Sequence, residues 1–366
     1  MEFNDIHLQY EELSSEIQSA ITQVLSSGRY VLGPSGQAFE ADFARYCGVS
    51  RGVGVASGTD ALRIGLAALG VRAGDEVLVP AVSAAATAMA VVQLHARPVF
   101  VDIHPDNFTM DPESAFDRAG SRTRAMLPVH LYGMPADLKK LSQARLAILE
   151  DAAQAHGSTA SWGRCGSFGQ AAAFSFYPTK NLGTYGDGGM LVTSSEEVAD
   201  RAKLLRNYGQ RENYASEIPG DNSRLDEIHA AILRLKLRSL DAGNRRRRAI
   251  AEMYRKGLKD LPLGLQAETG QSNYHLFVVT TPQRDALRRY LAEKEIPTIV
   301  HYPIPLSRQK AFEEFEPAVC PNADRLCARV LSLPMHPSLR EFEVEEVVGA
   351  IREFFEKQGR ERSEKK

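Results

Sequence analysis

Cysteine is scarce in this chain. It occurs 4 times in 366 residues, at Cys47, Cys165, Cys320 and Cys327, and no two of them form a CxxC. That excludes a disulfide scaffold and argues against a cysteine metal site. The expectation is free thiols, buried or half-exposed, in a reducing compartment. A surplus of charge is also missing: 44 Lys and Arg stand against 46 Asp and Glu, a net charge of −2, which does not suit a dedicated nucleic-acid binder. No apolar run is long enough to span a bilayer. The least polar stretch, Ala81 to Leu94, is interrupted by Ser83, Thr87 and Gln93. The first residues, MEFNDIHLQYEEL, are acidic and lack the apolar core of a signal peptide. A soluble, cytoplasmic protein is expected. There is no internal repeat, no P-loop and no GxGxxG, so neither a nucleotide hydrolase nor a Rossmann dehydrogenase is favoured.

What the chain does contain is ordinary globular material, 43 % hydrophobic and 25 % charged. A chain of this length buries about three quarters of its unfolded surface, enough for two domains or three. Short apolar runs alternate with helical patterns over the first two thirds, which is the signature of an α/β architecture. Strands are expected at Val53–Ala56, Glu76–Val79, Val99–Asp102, Ala125–Pro128, Ala147–Glu150, Ala171–Phe176 and Met190–Thr193. Phe39, Phe43 and Tyr46 share one face of an early helix, and Ala61–Leu69 is helical. A long helix starting near Ser223, with Leu225, Ile228, Ile232 and Leu235 inward, runs towards Asn244 and the arginines 245–248. Those four arginines read as a solvated helix face or linker rather than an anion site. Beyond residue 246 the texture changes to a small α+β domain. It has strands over Tyr274–Thr280 and Thr298–Tyr302 and helices over Arg284–Lys294, Ala323–Leu331 and Val344–Phe355. The expected division is 1–245, 246–356 and a charged tail at 357–366 without fixed structure.

Three segments carry chemistry. Ala56-Ser57-Gly58-Thr59-Asp60 lies between a strand and a helix, where a glycine and free N–H groups suit a phosphate; a turn with no ligand reads equally. Glu150-Asp151 closes an apolar strand, as a carboxylate offered to a ligand or as a helix cap. Lys180 follows Phe174-Ser175-Phe176-Tyr177-Pro178-Thr179 and precedes glycine-rich chain, as a Schiff-base lysine or a surface lysine. Together they match what pyridoxal phosphate needs: a cradle, a partner for the ring nitrogen and an amine for the aldehyde.

These segments, with SGRYVLGP at 27–34, EDAAQAHG at 150–157, FSFYPTKNLG at 174–183, YGDGG at 185–189, GDNSRLDEIHAAIL at 220–233 and HYPIPL at 301–306, resemble the DegT/StrS nucleotide-sugar aminotransferases. The resemblance covers nearly the whole chain. It implies an α/β, fold-type I pyridoxal-phosphate transferase, with a mixed, mostly parallel sheet in the large domain and a small C-terminal α+β domain. It also implies amino transfer from L-glutamate to a nucleotide-linked keto sugar, and homodimers with composite sites. By the same resemblance Lys180 bonds the cofactor and moves the proton, Asp151 pairs with the pyridine nitrogen, and Gln154 lies near the phenolic oxygen. Gly58, Thr59 and Ser175 bind phosphate, and Asn222 reaches the phosphate of the neighbouring subunit. A plain turn residue is the other reading of Asn222. Tyr185 and His301 match positions that approach the sugar.

The run GDNSRLDEI resembles the branch that aminates C-3, with a dTDP-3-keto-6-deoxyhexose or a UDP-3-keto-N-acetylhexosamine as example substrates. Pro219 departs from that branch, where a basic residue often precedes the glycine. Ala84 departs further: the family usually carries an aromatic there, stacked on the pyridine ring. The alternatives are a C-4 aminotransferase, a sugar dehydratase, in which histidine replaces the lysine, and a non-catalytic sensor.

Overall fold

The apolar runs form strands because they are buried on both faces, where parallel sheets favour continuous Val, Ala and Leu rather than alternation. The computed structural model describes residues 1–212, 214–315 and 318–364, with side chains as far as 359. In chain order the strands are β1 Arg51–Val55, β2 Glu76–Pro80, β3 Arg97–Val101, β4 Thr123–Met126, β5 Ala147–Asp151, the short pair β6 Thr159–Ala160 and β7 Gly163–Arg164, β8 Ala171–Ser175 and β9 Gly189–Thr193. There follow the pair β10 Gln210–Glu212 and β11 Ala215–Ser216, and then β12 Gly264–Leu265, β13 Phe277–Thr280 and β14 Val330–Leu333. The main sheet has seven strands in the order β1-β9-β8-β5-β4-β2-β3. Strands β3, β2, β4, β5 and β8 are parallel neighbours, whereas β9 runs against both β8 and β1. This is the mixed, mostly parallel sheet expected. Ser175 and Val55 both pair with Gly189, so the ends of β8 and β1 meet at one edge, beside the end of β5.

The helices are α1 Ile6–Ser27, α2 Pro34–Cys47, α3 Gly58–Ala68, α4 Ala85–Val92, α5 Pro112–Arg118, α6 Leu138–Leu141, α7 Glu196–Leu205, α8 Glu227–Leu237, α9 Leu240–Leu258, α10 Arg284–Glu293, α11 Pro321–Arg329 and α12 Glu341–Glu364. Helix α3 lies tight on the sheet through Gly65, where a Cβ would meet Leu191 at 2.8 Å. Phe39 and Phe43 of α2 are buried as their spacing predicts, and Phe43 meets Phe174 edge-on at 4.9 Å. Glu227 accepts from the N–H groups of Gly33, Ser35 and Gly36 at 3.0, 2.8 and 2.8 Å, so a carboxylate from α8 caps the start of α2. Strands β12, β13 and β14 form a second, antiparallel sheet. It shares a core with α9, α10 and α12.

Five expectations change. The helix expected from Ser223 begins at Glu227 and breaks after Leu237, where Ser239 Oγ donates to the carbonyl of Lys236 at 3.0 Å and competes with the helical ladder. The boundary expected at 245/246 falls inside α9. Arg247 is not solvated: it is buried and donates to the carbonyls of Tyr274 and Met335 at 3.2 and 2.9 Å, tying α9 to the second sheet. Thr298–Tyr302 makes one bridge, Ile299 to Ser332, instead of a strand, because Pro297, Pro303 and Pro305 remove ladder donors on both sides. The tail is helical to Glu364, assisted by the pair Lys357–Glu353 at 2.7 Å, and residues 365 and 366 lie outside those described. The four cysteines are free and buried. Among the described residues no helix is long and apolar enough to cross a membrane.

Candidate active site

Successive strand residues face opposite sides of a sheet, so Glu150 and Asp151 part company at the end of β5. Glu150 is fully buried and accepts from the N–H groups of Gly166, Phe168 and Gly169 at 2.7, 2.9 and 2.7 Å. It also faces His130 Nε2 at 2.9 Å. His130 Nδ1 accepts from Ala136 N at 3.0 Å, so the proton sits on Nε2 and is donated to Glu150. Asp151, equally enclosed, has fewer donors: Thr87 Oγ1 at 2.8 Å and the N–H of Ala153 at 3.2 Å. Ser83 Oγ donates in turn to Thr87 Oγ1 at 2.7 Å. Burial pushes the Asp151 carboxyl up, opposed by the Thr87 and Ala153 bonds and by the charge of Lys180. The sequence offered a ligand carboxylate or a cap here; the Ala153 contact is cap-like, and the remaining lone pairs are left for a cation.

Lys180 lies in the loop after β8, where its N–H donates to Tyr177 O at 2.9 Å. The next residue anchors the loop: Asn181 Nδ2 donates to Asn244 Oδ1 at 2.9 Å and to Asn273 O at 3.1 Å. Burial lowers the Lys180 amine from its ordinary 10.5 to about 8, with Asp151 pulling the other way. A lysine in that condition is nucleophilic near neutral pH. Gln154 is locked: its Oε1 accepts from Tyr132 N at 2.6 Å and its Nε2 donates to Tyr302 Oη at 3.1 Å. His301 shares Nδ1 with Ser332 Oγ at 3.0 Å, and burial plus the Lys180 charge lower it to about 4, so its ring is neutral.

At the start of α3, Ser57 Oγ accepts from Asp60 N at 3.1 Å, a regular N-cap, so that hydroxyl is occupied. A Cβ on Gly58 would stand 2.6 Å from that of Ser175, so only glycine fits between the two loops. Ser175 Oγ accepts from Tyr177 N at 3.3 Å, and among the described residues its proton has no acceptor and Thr59 Oγ1 has no partner. Arg63 of α3 pairs with Asp221 at 2.6 Å and fixes the segment that carries Asn222. Asn222 itself is exposed, bridged to Asn207 through the backbone, with its side chain unengaged among the described residues. Tyr185 is 37 % exposed, edge-on to Tyr10 at 5.9 Å. Ala84 is the residue before α4, half-buried, its carbonyl accepting from Thr87 N at 3.1 Å.

The structure thus gathers Asp151, Gln154, Ser175, Lys180, Gly58, Thr59 and His301 around one sheet edge, with Tyr185 on the loop beyond and Asn222 facing outward. Sequence reasoning missed Thr87 and Tyr302. Thr87 had a signal, a hydroxyl four residues after Ser83 in an alanine run; Tyr302 had none that composition reveals.

A buried carboxylate with few donors, a lysine with a lowered pKa and a helix N-terminus that only glycine can close stand together at this sheet edge. The chain belongs to the DegT/DnrJ/EryC1/StrS aminotransferase family, whose profile matches residues 11–352. It is 46 % identical over 364 residues, 97 % of this chain and 96 % of the other, to a dTDP-3-amino-3,4,6-trideoxy-alpha-D-glucose transaminase of Streptomyces venezuelae. It is 42 % identical to a UDP-N-acetyl-3-dehydro-alpha-D-glucosamine 3-aminotransferase of Acidithiobacillus ferrooxidans, covering 95 % and 96 % of the two chains. Among solved structures, DesV of S. venezuelae in complex with a ketimine intermediate superposes with a TM-score of 0.94 at 46 % identity, covering 96 % of this chain and 98 % of that one.

Proposed function

We propose that this protein is a pyridoxal-phosphate-dependent aminotransferase that moves an amino group from L-glutamate to C-3 of a nucleotide-linked keto sugar, as a cytoplasmic homodimer. The observation that carries this is Lys180, its amine brought to about 8, set electrostatically against the enclosed Asp151 carboxylate. The residues fit the cofactor on their own chemistry. Gly58 keeps open a space that a Cβ would fill, beside the N–H groups of α3 and the free hydroxyls of Thr59 and Ser175. Asp151 suits a protonated ring nitrogen and Lys180 an aldehyde. When bound, the cofactor supplies an electron sink for the substrate carbon.

The chain's own residues supply the rest. Lys180 Nζ would hold the cofactor, and the same amine, when free, is the base placed to take the donor's α-proton and return it to the sugar carbon. Thr87 and the Ala153 N–H orient Asp151 without neutralising it. Gln154, fixed at both ends, keeps one amide proton and one oxygen lone pair uncommitted among the described residues. His301 and Tyr185 face the sugar. The unengaged side chain of Asn222 completes the phosphate site of a second copy. The division into a cofactor-binding domain and a small C-terminal domain belongs to this proposal, with α9 running from one into the other.

Amination at C-3 is supported by the GDNSRLDEI run and by the names of relatives at 46 % and 42 % identity. The test is a panel of 3-keto and 4-keto nucleotide sugars, dTDP- and UDP-linked, offered with L-glutamate. Turnover of a 3-keto sugar, with glutamate bleaching the visible band of the holoenzyme, is expected. Turnover of 4-keto sugars alone moves the reading to C-4, and elimination of a hydroxyl without amination moves it to a dehydratase. Light scattering at micromolar concentration is expected to give the dimer; an active monomer overturns the shared site.

A further inference from the structure

Two cations are enclosed in this chain without a carboxylate partner among the described residues. Arg247 has a structural task, since its guanidinium donates to three backbone carbonyls. Lys236 of α8 has no such set. It is 2 % exposed, and its only hydrogen-bond acceptor among the described residues is the carbonyl of Gly183. Its Nζ lies 4.9 Å from the ring centroid of Tyr185. Burial lowers its amine to about 8. A Met at this place would fill the space without that cost, so the charge calls for a local role.

Both of its contacts fall on one short stretch, Gly183 to Tyr185. The near end of the loop needs no help from Lys236: Lys180 N is held by Tyr177 O, and Asn181 by Asn244 and Asn273. At Gly183 the chain turns so tightly that a Cβ would lie 2.6 Å from Pro178 O. Thr184 N then donates to Phe176 O at 2.8 Å. From there the backbone carries Tyr185 outward. Its ring has Tyr10 edge-on at 5.9 Å and the Lys236 ammonium within cation–π distance. The ring, 37 % exposed, is thus flanked by two neighbours.

We propose that Lys236 is a positioning residue for sugar recognition: through the Gly183 carbonyl and the ring of Tyr185 it sets the orientation in which Tyr185 meets the sugar of the nucleotide-linked substrate. This rests on the proposed function, in which Tyr185 faces the sugar. Because Lys180 is anchored separately, the consequence is selective. The half-reaction with the amino donor is spared, and the half-reaction with the keto sugar is impaired.

The experiment uses the holoenzyme and the variants Lys236→Met, Lys236→Gln, Tyr185→Leu and Tyr185→Leu/Lys236→Met. In Lys236→Met the rate at which L-glutamate bleaches the cofactor's visible band is expected to stay within about twofold of the parent. KM for the keto sugar rises about tenfold, ~1.4 kcal/mol, with kcat within about threefold. Equilibrium binding of the unreactive probes dTDP-glucose and UDP-N-acetylglucosamine weakens by a similar factor. Lys236→Gln, which keeps a donor for Gly183 but no charge, falls between; it also serves if the Met variant does not fold. The double variant binds the probes no more than about twofold worse than Tyr185→Leu alone, since the effect of Lys236 is transmitted by the ring. Equal losses in both half-reactions, or single effects that multiply in the double variant, overturn the proposal. If Tyr185→Leu leaves probe binding unchanged, the proposal falls while the aminotransferase reading stands. A parent protein that glutamate does not bleach overturns the reading itself.

Discussion

Glu150 and Asp151 are consecutive carboxylates on one strand, both buried, and they serve opposite ends. On Glu150's side of the sheet every strong interaction is internal: three backbone N–H groups and a protonated His130 nitrogen converge on it. On Asp151's side one hydroxyl and one long N–H bond leave the charge under-compensated, with a lysine whose own pKa is depressed nearby. Residue type and burial do not separate a structural carboxylate from a reactive one. The number of donors already committed to it does, because a satisfied charge has nothing left to offer a ligand.

The comparison breaks most sharply by substitution. On the proposed function, Asp151→Asn is expected to retain cofactor but to lose several orders of magnitude in rate, because the amide would leave the ring nitrogen without a carboxylate partner. Single-turnover kinetics with glutamate measure this. A loss under about tenfold, ~1.4 kcal/mol, makes Asp151 a cap like any other. Lys180→Ala belongs to the same side and is expected to abolish turnover with the fold intact. Glu150→Gln should do the reverse. It exchanges charge-assisted bonds for weaker ones and sets an NH₂ group against a backbone N–H, costing about 2 kcal/mol of stability by denaturant titration. The surviving enzyme keeps kcat within about threefold. A large fall in kcat with unchanged stability would reverse the roles assigned to the two sides.

A pH titration sharpens the same contrast. A lysine reacts as the free amine, so its reactive fraction is level above its pKa and falls tenfold for each pH unit below. With Lys180 at about 8 rather than 10.5, capture of an aldehyde by cofactor-free protein should rise with pH and level off near 8. Asp151 pulls that value upward, so Asp151→Asn moves the break to lower pH. Glu150→Gln leaves it near 8, because Glu150's charge is absorbed on the other side. A break that moves equally in both variants would show that the two carboxylates act on Lys180 as one field.

Much of this was legible in the sequence for physical reasons. Five-residue runs such as Ala147–Asp151 are apolar because both faces are covered, and a carboxylate or lysine at the end of such a run stands out. Side-chain company across long sequence distances was not legible. Thr87 and Asp151 are 64 residues apart, and Gln154 and Tyr302 are 148 apart. The break at Ser239 depends on one hydroxyl turning back on its helix, and the burial of Arg247 on carbonyls supplied by the second sheet. Composition and periodicity record which face a residue takes, not which partner it finds there.

The smallest expected effect concerns Ala84. The residue sits at the mouth of α4, between the Ser83 hydroxyl and the helix that delivers Thr87 to Asp151, so it belongs to the reactive side. An aromatic stacked on the cofactor ring would add roughly 0.5–1.5 kcal/mol, a two- to tenfold change in retention. The difference should appear most clearly for pyridoxamine phosphate, which no lysine bond holds. Ala84→Phe is therefore expected to slow its loss on dialysis after glutamate treatment by about that factor. If loss is as fast or faster, the space beside the ring is already filled, and Tyr302 is the side chain to examine. It packs on the cluster containing Ala81 and Val82, and its hydroxyl accepts from Gln154 at 3.1 Å. Tyr302→Leu in the parent would then speed the loss, whereas Tyr302→Phe, which keeps the ring and loses only the hydroxyl, would leave it nearly unchanged. That pattern would mean that the missing aromatic was replaced from the far end of the chain rather than dispensed with.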